Sequence, residues 1–261
     1  LDSLRRDPAV NGVFSWNGDA KILLAIVKYI EDWENIDNDI DLADIRVILV
    51  VEDSVKYASS FLSVLYPELM VQSRSLVSEG LNQMQKLMRM RSRPEIVLAT
   101  NHEVAMELYE SYRNNLLAVI SDVGFPREGE HDTQAGLNLV KAIRQRHKDL
   151  PILIQSADDE YKTVVKDYDV LFVNKRSSNL LQKIRLFLKQ YLGFGPFIFR
   201  LPGGTEVAQA NDIPEFEECV RTVDGESLIY HGINDHFSNW LMARSEFDLA
   251  RRIKLPKPGN F

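Results

Sequence analysis

The chain has 261 residues, 45% of them hydrophobic and 26% charged, with a formal net charge of −7, a composition that fits one or two globular domains with ample length for a core. The acidic balance gives no reason to expect a nucleic-acid partner, and no apolar run reaches the ~18 residues needed to span a bilayer, so no membrane partner is expected either. The single cysteine, Cys219, excludes an internal disulfide and makes a reducing, cytoplasmic setting the expectation.

In chain order, VNGVFSW (10–16) reads as a short strand. DAKILLAIVKYIEDW (19–33) reads as a helix, with Ile22, Leu23, Ile26, Val27 and Ile30 at helical spacing and Asp19 as its N-cap. The segment VFSWNGDAKILLAIVKYI (13–30) aligns with LFVNKRSSNLLQKIRLFL (171–188). Residues 1–33 are therefore read as the last strand and helix of a preceding, similar domain, with chance similarity as the alternative. ENIDNDIDLAD (34–44) has the composition of an acidic linker.

IRVILVV (45–51) is almost wholly apolar and β-branched, the pattern of a strand buried on both faces. A helix is expected over 55–66, and the Met- and Arg-rich stretch 67–94 reads as a helical insertion ended by Pro94. Met84, Leu87 and Met88 in it read as a packing face. EIVLAT (95–100), LLAVIS (116–121), PILIQSA (151–157) and VLFVNK (170–175) are the next strands. They alternate with helices at 102–113, 135–147, 161–168 and 179–192. Five strand–helix units over 45–192 make an α/β domain, a doubly wound five-stranded parallel sheet with right-handed crossovers.

After GFG (193–195) the pattern changes. PFIFRLPGGTEVAQ reads as a β-hairpin, and helices follow at 213–223, 226–244 and 246–255. Residues 193–257 are thus a small α+β module. The start at Leu1 and the Pro-rich end are read as those of a piece of a longer protein.

The strands end in polar groups: Glu52 and Asp53 after the first, Asp122 after the third, Ser156 at the fourth and Lys175 after the fifth. A single Asp at a strand end is ordinarily a cap. In a parallel sheet, however, all C-terminal ends lie along one edge, so these five groups converge. Carboxylates so close raise one another's pKa unless a cation joins them. Mg²⁺ suits oxygen ligands of this kind, and a carboxylate beside it can take a phosphoryl group. Lys175 and the Ser156 hydroxyl are suitable donors to the phosphoryl oxygens.

ILVVEDS, VISDVGFP…G, PILIQSA and FVNK, in that order over 45–192, resemble the successive motifs of the response-regulator receiver domain. The resemblance implies a flavodoxin-like sheet of strand order 2-1-3-4-5. By position it makes Asp122 the phosphoacceptor and makes Glu52, Asp53, Asp122 and the Gly124 backbone carbonyl the Mg²⁺ ligands. It makes Ser156 and Phe172 the switch pair, Ala157 the small residue beside the site, and Lys175 the family's lysine. A histidine kinase or a small phosphodonor would supply the phosphoryl group. The output would be a downstream domain of the same chain, and a homodimer is compatible with the family. No enzymatic activity is implied beyond Mg²⁺-dependent self-phosphorylation and autodephosphorylation.

The chain departs from the family pattern in three places. Arg176 stands where a proline is usual, REGEHDTQA (127–135) lengthens the loop after the third strand, and 67–94 is inserted. Glu128, Glu130, His131 and Asp132 in the long loop are read as solvated rather than as a lid. SLIYHGINDHFSNWLMARSEFDLARRI (227–253) resembles a segment of bacterial proteins that place receiver-like modules ahead of a PEP/pyruvate-binding region of the phosphoenolpyruvate synthase or pyruvate phosphate dikinase type. His231 and His236, five apart, are read as structural or interfacial rather than as metal ligands. Two alternatives stand beside the phosphoacceptor. One is a pseudo-receiver used as an interaction or dimerisation scaffold. The other is a phosphohydrolase, which would need an acid or base two residues after the nucleophile, where Gly124 offers none.

Overall fold

A computed structural model describes residues 10, 12–16, 18–43, 45–77, 93–147, 150–168, 170–244 and 246–254. The chain divides into two compact units, residues 1–71 with 94–184, and 72–93 with 185–261.

The first unit is a mixed α/β structure built on β1 (Val47–Val51), β2 (Glu95–Ala99), β3 (Leu116–Asp122), β6 (Ile152–Ser156) and β7 (Leu171–Asn174). All neighbours pair in parallel, in the order β2-β1-β3-β6-β7. Every residue of β1 is buried, because helices cover both faces of such a sheet. Val47, Leu49 and Val51 face one side and share a core with α3 (His102–Tyr112) and α4 (Ala135–Arg146) through Ala105, Tyr109, Leu139 and Ile143. Asn101 caps α3 by accepting from Val104 N at 2.8 Å. Coarsely, this arrangement is consistent with a flavodoxin-like fold.

Several local expectations are corrected. Residues 12–16 form no strand. They run irregularly, with Ser15 N donating to Ser59 Oγ at 2.8 Å. The acidic stretch 34–43 is no linker but the second half of one helix, α1 (Lys21–Ala43). The acids of 34–43 are exposed or half-buried, while Ile22, Ala25, Tyr29, Asp32 and Ile36 keep one buried stripe going. Asp32 Oδ2 accepts from both Tyr66 Oη and Ile96 N, each at 2.9 Å. Helix α2 runs unbroken over Val55–Val77 with Pro67 inside it, so the helix expected over 55–66 continues past residue 67. The Ser59 and Ser63 hydroxyls donate back to the carbonyls of Val55 and Ser59. Met84, Leu87 and Met88 lie outside the described residues.

The long loop after β3 is a two-stranded antiparallel hairpin, β4 (Phe125–Arg127) and β5 (Glu130–Asp132). Glu128 and Gly129 turn it with φ of 54° and 84°, the doubly positive pair that matches strand twist in a two-residue turn. The segment 161–168 splits into α5 (Tyr161–Val164) and a 3₁₀ turn, Val165–Tyr168.

Helix α6 (Leu180–Tyr191) contains the division between the units, which falls at 184/185 rather than at 192/193. In the second unit, the stretch after this helix is tied to α9 (His236–Ala243). Trp240 Nε1 donates to Gly195 O at 2.9 Å, and Arg244 donates to Gly193 O at 2.7 Å and Gly195 O at 3.0 Å. The hairpin β8 (Phe197–Arg200) and β9 (Glu206–Ala210) packs Phe197 and Phe199 on Phe216 of α7 (Ile213–Thr222) and on Trp240. The stretch 226–244 is two helices, α8 (Gly225–Ile233) and α9, parted where Asp235 turns left-handed at φ 58°. The last helix is α10 (Phe247–Ile253).

Candidate metal and phosphoryl site

The strand order reverses direction between β1 and β3, and crevices at that point are where open parallel sheets hold ligands. Glu52 and Asp53 follow β1 directly, and Asp122 ends β3. Among the described residues these three form the one group of at least three metal-ligating side chains, with a carboxylate oxygen of each within 4.8 Å of the others. Hard oxygen donors alone make up the set, which fits Mg²⁺ and other hard cations without selecting among them.

Glu52 is fully buried, with a side-chain exposure of 0%. Its Oε1 accepts from Ser54 N at 3.2 Å and its Oε2 from Gln155 Nε2 at 3.3 Å. Lys175 Nζ bridges Glu52 Oε2 at 2.5 Å and Asp122 Oδ2 at 2.6 Å, and lies 4.6 Å from the centre of the Tyr57 ring. Asp122 Oδ1 accepts from Val123 N at 2.7 Å. Both oxygens of Asp122 are therefore held in place.

The electrostatics are acid-heavy, three carboxylates around one ammonium. Burial pushes the Glu52 carboxyl up to about 7. The Lys175 charge opposes that rise and the Asp122 charge adds to it. Burial also raises Asp122, against the pull of Lys175 and the Val123 N–H. A divalent cation would relieve both shifts, since it favours ionised carboxylates.

The remaining sequence-derived positions lie as follows. Ser156 ends β6, and its Oγ accepts from Asp158 N at 3.1 Å. Phe172, on β7 beside Ile154, is partly buried against the sheet core. Gly124 is partly buried against the His131 ring, and Ala157 follows Ser156, also partly buried. No cis peptide bond occurs among the described residues. The turn after β7 closes without proline, through Arg176 N to Asn174 Oδ1 at 2.7 Å and Ser177 N to Asn174 O at 3.0 Å. His231 and His236 meet each other, Nδ1 to Nδ1 at 2.9 Å. No third metal-ligating side chain joins them among the described residues.

Three contributors escaped the sequence reading. Tyr57 carries no sequence signal beyond its place in the helix expected over 55–66. Gln155 carried a signal, a lone amide inside the apolar strand ILIQS. Gly136 closes the site from behind: its N donates to Val123 O at 2.8 Å, and a Cβ there would stand 2.1 Å from Asp122 O. Only glycine lets α4 approach the Asp122 turn so closely.

No known family pattern matches the chain, and a comparison with the curated proteins finds no relative.

Proposed function

We propose that the chain is a receiver-type phosphoacceptor module, in which Asp122 takes a phosphoryl group from a histidine kinase or a small phosphodonor. The observation that carries this reading is the bridge of Lys175 to both Glu52 and Asp122, formed across sequence separations of 123 and 53 residues. A simple strand cap needs no such convergence. In the transfer, an oxygen of Asp122 bonds to phosphorus while the bond from phosphorus to the donor breaks, and the donor leaves with the electron pair. Glu52, Asp53, Asp122 and the Gly124 carbonyl would hold Mg²⁺, which would neutralise charge on the phosphoryl oxygens. Lys175 is already within hydrogen-bond reach of the acceptor carboxylate. Ser156 would exchange its bond from Asp158 N for one to the phosphoryl group, with Phe172 moving inward behind it. This local charge change would bias the β6–β7 surface that addresses an output domain, and a PEP/pyruvate-binding region ranks first among candidate outputs.

A second reading, a pseudo-receiver serving as an interaction scaffold, is favoured by one observation. The Ser156 hydroxyl oxygen already accepts from Asp158 N, as it would in a site that never receives phosphate. The two readings part in one experiment. Amide NMR spectra of the chain with Mg²⁺, with and without beryllofluoride, are compared with those of Asp122→Asn. The phosphoacceptor reading expects shifts around Ser156 and Phe172 in the wild type and none in the variant. A wild-type spectrum that beryllofluoride leaves unchanged sinks it and leaves the scaffold.

A further inference from the structure

Gln155 interrupts the apolar run of β6. All five residues of that strand are buried, and Gln155 itself is 1% exposed. It pairs with Asp122 of β3 on one side and with Val173 of β7 on the other. A buried amide is costly unless it finds a partner. Here the partner is a carboxylate of the candidate cation site, Glu52 Oε2, which accepts from Gln155 Nε2 at 3.3 Å.

Three donors reach the Glu52 carboxylate. Ser54 N donates to Oε1 at 3.2 Å, while Gln155 Nε2 and Lys175 Nζ both donate to Oε2, the lysine at 2.5 Å. They differ in how they meet a cation. A divalent ion drawn among Glu52, Asp53 and Asp122 repels the Lys175 ammonium. The Ser54 N–H and the Gln155 amide carry no net charge and are not driven off. Once the hold of Lys175 weakens, Gln155 is the side chain that still fixes Oε2. With Ser54 N on Oε1, it pins the carboxylate at both oxygens. Its own base is stiff, because β6 has a paired strand on each side.

Fixed ligands matter unequally to hard cations. Mg²⁺ is small and demands near-octahedral geometry, whereas Ca²⁺ takes roughly six to eight oxygens in flexible arrangements. A carboxylate free to turn therefore costs Mg²⁺ more than Ca²⁺. We propose that Gln155 tips the site toward Mg²⁺ and away from Ca²⁺ by holding the Glu52 carboxylate in one orientation. It is a positioning residue, acting through Glu52 rather than touching the cation. The inference rests on the reading of Glu52, Asp53 and Asp122 as a cation site, and it adds what the oxygen donors alone do not supply, a means of selecting among hard cations.

Calorimetry on the full chain tests it, giving Mg²⁺ and Ca²⁺ dissociation constants for the wild type, Gln155→Met and Gln155→Asn, with melting temperatures recorded without metal. Methionine keeps the length and loses the donor. Asparagine keeps the amide but is one carbon shorter than a side chain whose bond already spans 3.3 Å. Both variants should bind Mg²⁺ about tenfold more weakly, as is usual when a partner that orients a metal ligand is removed. Their Ca²⁺ affinity should change by less than about twofold. Equal losses for the two cations overturn the proposal, since a general structural or electrostatic role would produce them. An unchanged Mg²⁺ affinity in either folded variant overturns it too. If the methionine variant melts below the assay temperature, the asparagine variant decides. A wild type that binds neither cation brings down the cation site itself. A wild type that binds Mg²⁺ yet takes no phosphoryl group from acetyl phosphate brings down only the phosphoacceptor reading.

Discussion

At the sheet edge of the first unit, Lys175 is wedged between Glu52 and Asp122, with Asp53 beside them. In the second unit, the buried Arg244 donates to the carbonyls of Gly193, Gly195 and Trp240 and lies 3.6 Å from the Trp240 ring centre. Nearby, His231 accepts from the Arg200 backbone N–H at 2.7 Å. Both units bury polar groups, but they satisfy them differently. In the second unit the partners are mostly backbone atoms, whose charge cannot change, and the result is a corner held shut. In the first the partners are other titratable side chains with an excess of acid, so the balance can be altered by a proton, a metal or a phosphoryl group. A buried group held by backbone reads as architecture, and one held by its titratable neighbours reads as a site.

Breaking the architectural side should have the largest effect. Arg244→Leu removes these donors, leaving Gly195 O with Trp240 Nε1 alone, and a loss of about 3 kcal/mol is expected from buried carbonyls left short of donors together with lost packing on the Trp240 ring. Urea denaturation measures it, and hydrogen exchange should place the lost protection in 185–254 rather than in β1 or β3. A loss under about 1 kcal/mol would mean the carbonyls find other donors.

On the other side of the comparison, Lys175→Met leaves Glu52 and Asp122 facing each other without their cation. A loss of about 3 kcal/mol is expected at pH 8, shrinking at pH 5, where the acids can take up protons instead. Equal losses at both pH values would count against the site being a charge balance.

Glu52→Gln sharpens the same point through pH alone. The Glu52 carboxyl sits at about 7 in the folded chain against an ordinary 4.5. The folded state therefore binds this proton more tightly than the unfolded one. The resulting stability is fully present below about pH 4.5 and is lost as pH rises through about 7. The wild type should lose on the order of 2–3 kcal/mol across that window from this group, and the glutamine variant should not. Mg²⁺ uptake by the wild type should release a proton near pH 6, measurable by calorimetry in two buffers of different ionisation enthalpy.

The smallest effect is on His231. Burial, with the charges of His236 and Arg200, lowers it from the usual 6.5 to about 3. Here the sign is opposite. The stability is present above about pH 6.5 and drains as pH falls toward 3, because the unfolded chain takes up a proton that the folded one refuses. At pH 5 the loss should be about 1 kcal/mol after allowance for solvent screening. His231→Gln, which cannot titrate, should flatten that slope.

The five sheet strands were legible because each is a short apolar run closed by a polar residue. The candidate site was legible because chain order alone sends Glu52, Asp53, Asp122, Ser156 and Lys175 to one edge. What stayed hidden has physical reasons. The acids of 34–43 resemble a linker by composition, yet Ile36 and Ile40 continue the helical period, and in α1 that period outweighs composition. The hairpin at 125–132 was missed because Glu-Gly is an unusual pair for a turn with two positive φ values; Asn-Gly or Asp-Gly announces one more plainly. The role of Gly136 depends on a contact at 2.1 Å across the Asp122 turn, which no one-dimensional pattern records.

One contact of α1 reaches further than its own packing. Strand β2 is one of the two outer strands of the sheet, β7 being the other, and an outer strand offers its free amides to any passing chain. Asp32 takes up the Ile96 amide from that side while Tyr66 steadies its carboxylate. The helix therefore works as a guard rail against strand-to-strand association. A shortened chain beginning at Ile45 would keep every residue of the candidate site and still be prone to clump through β2.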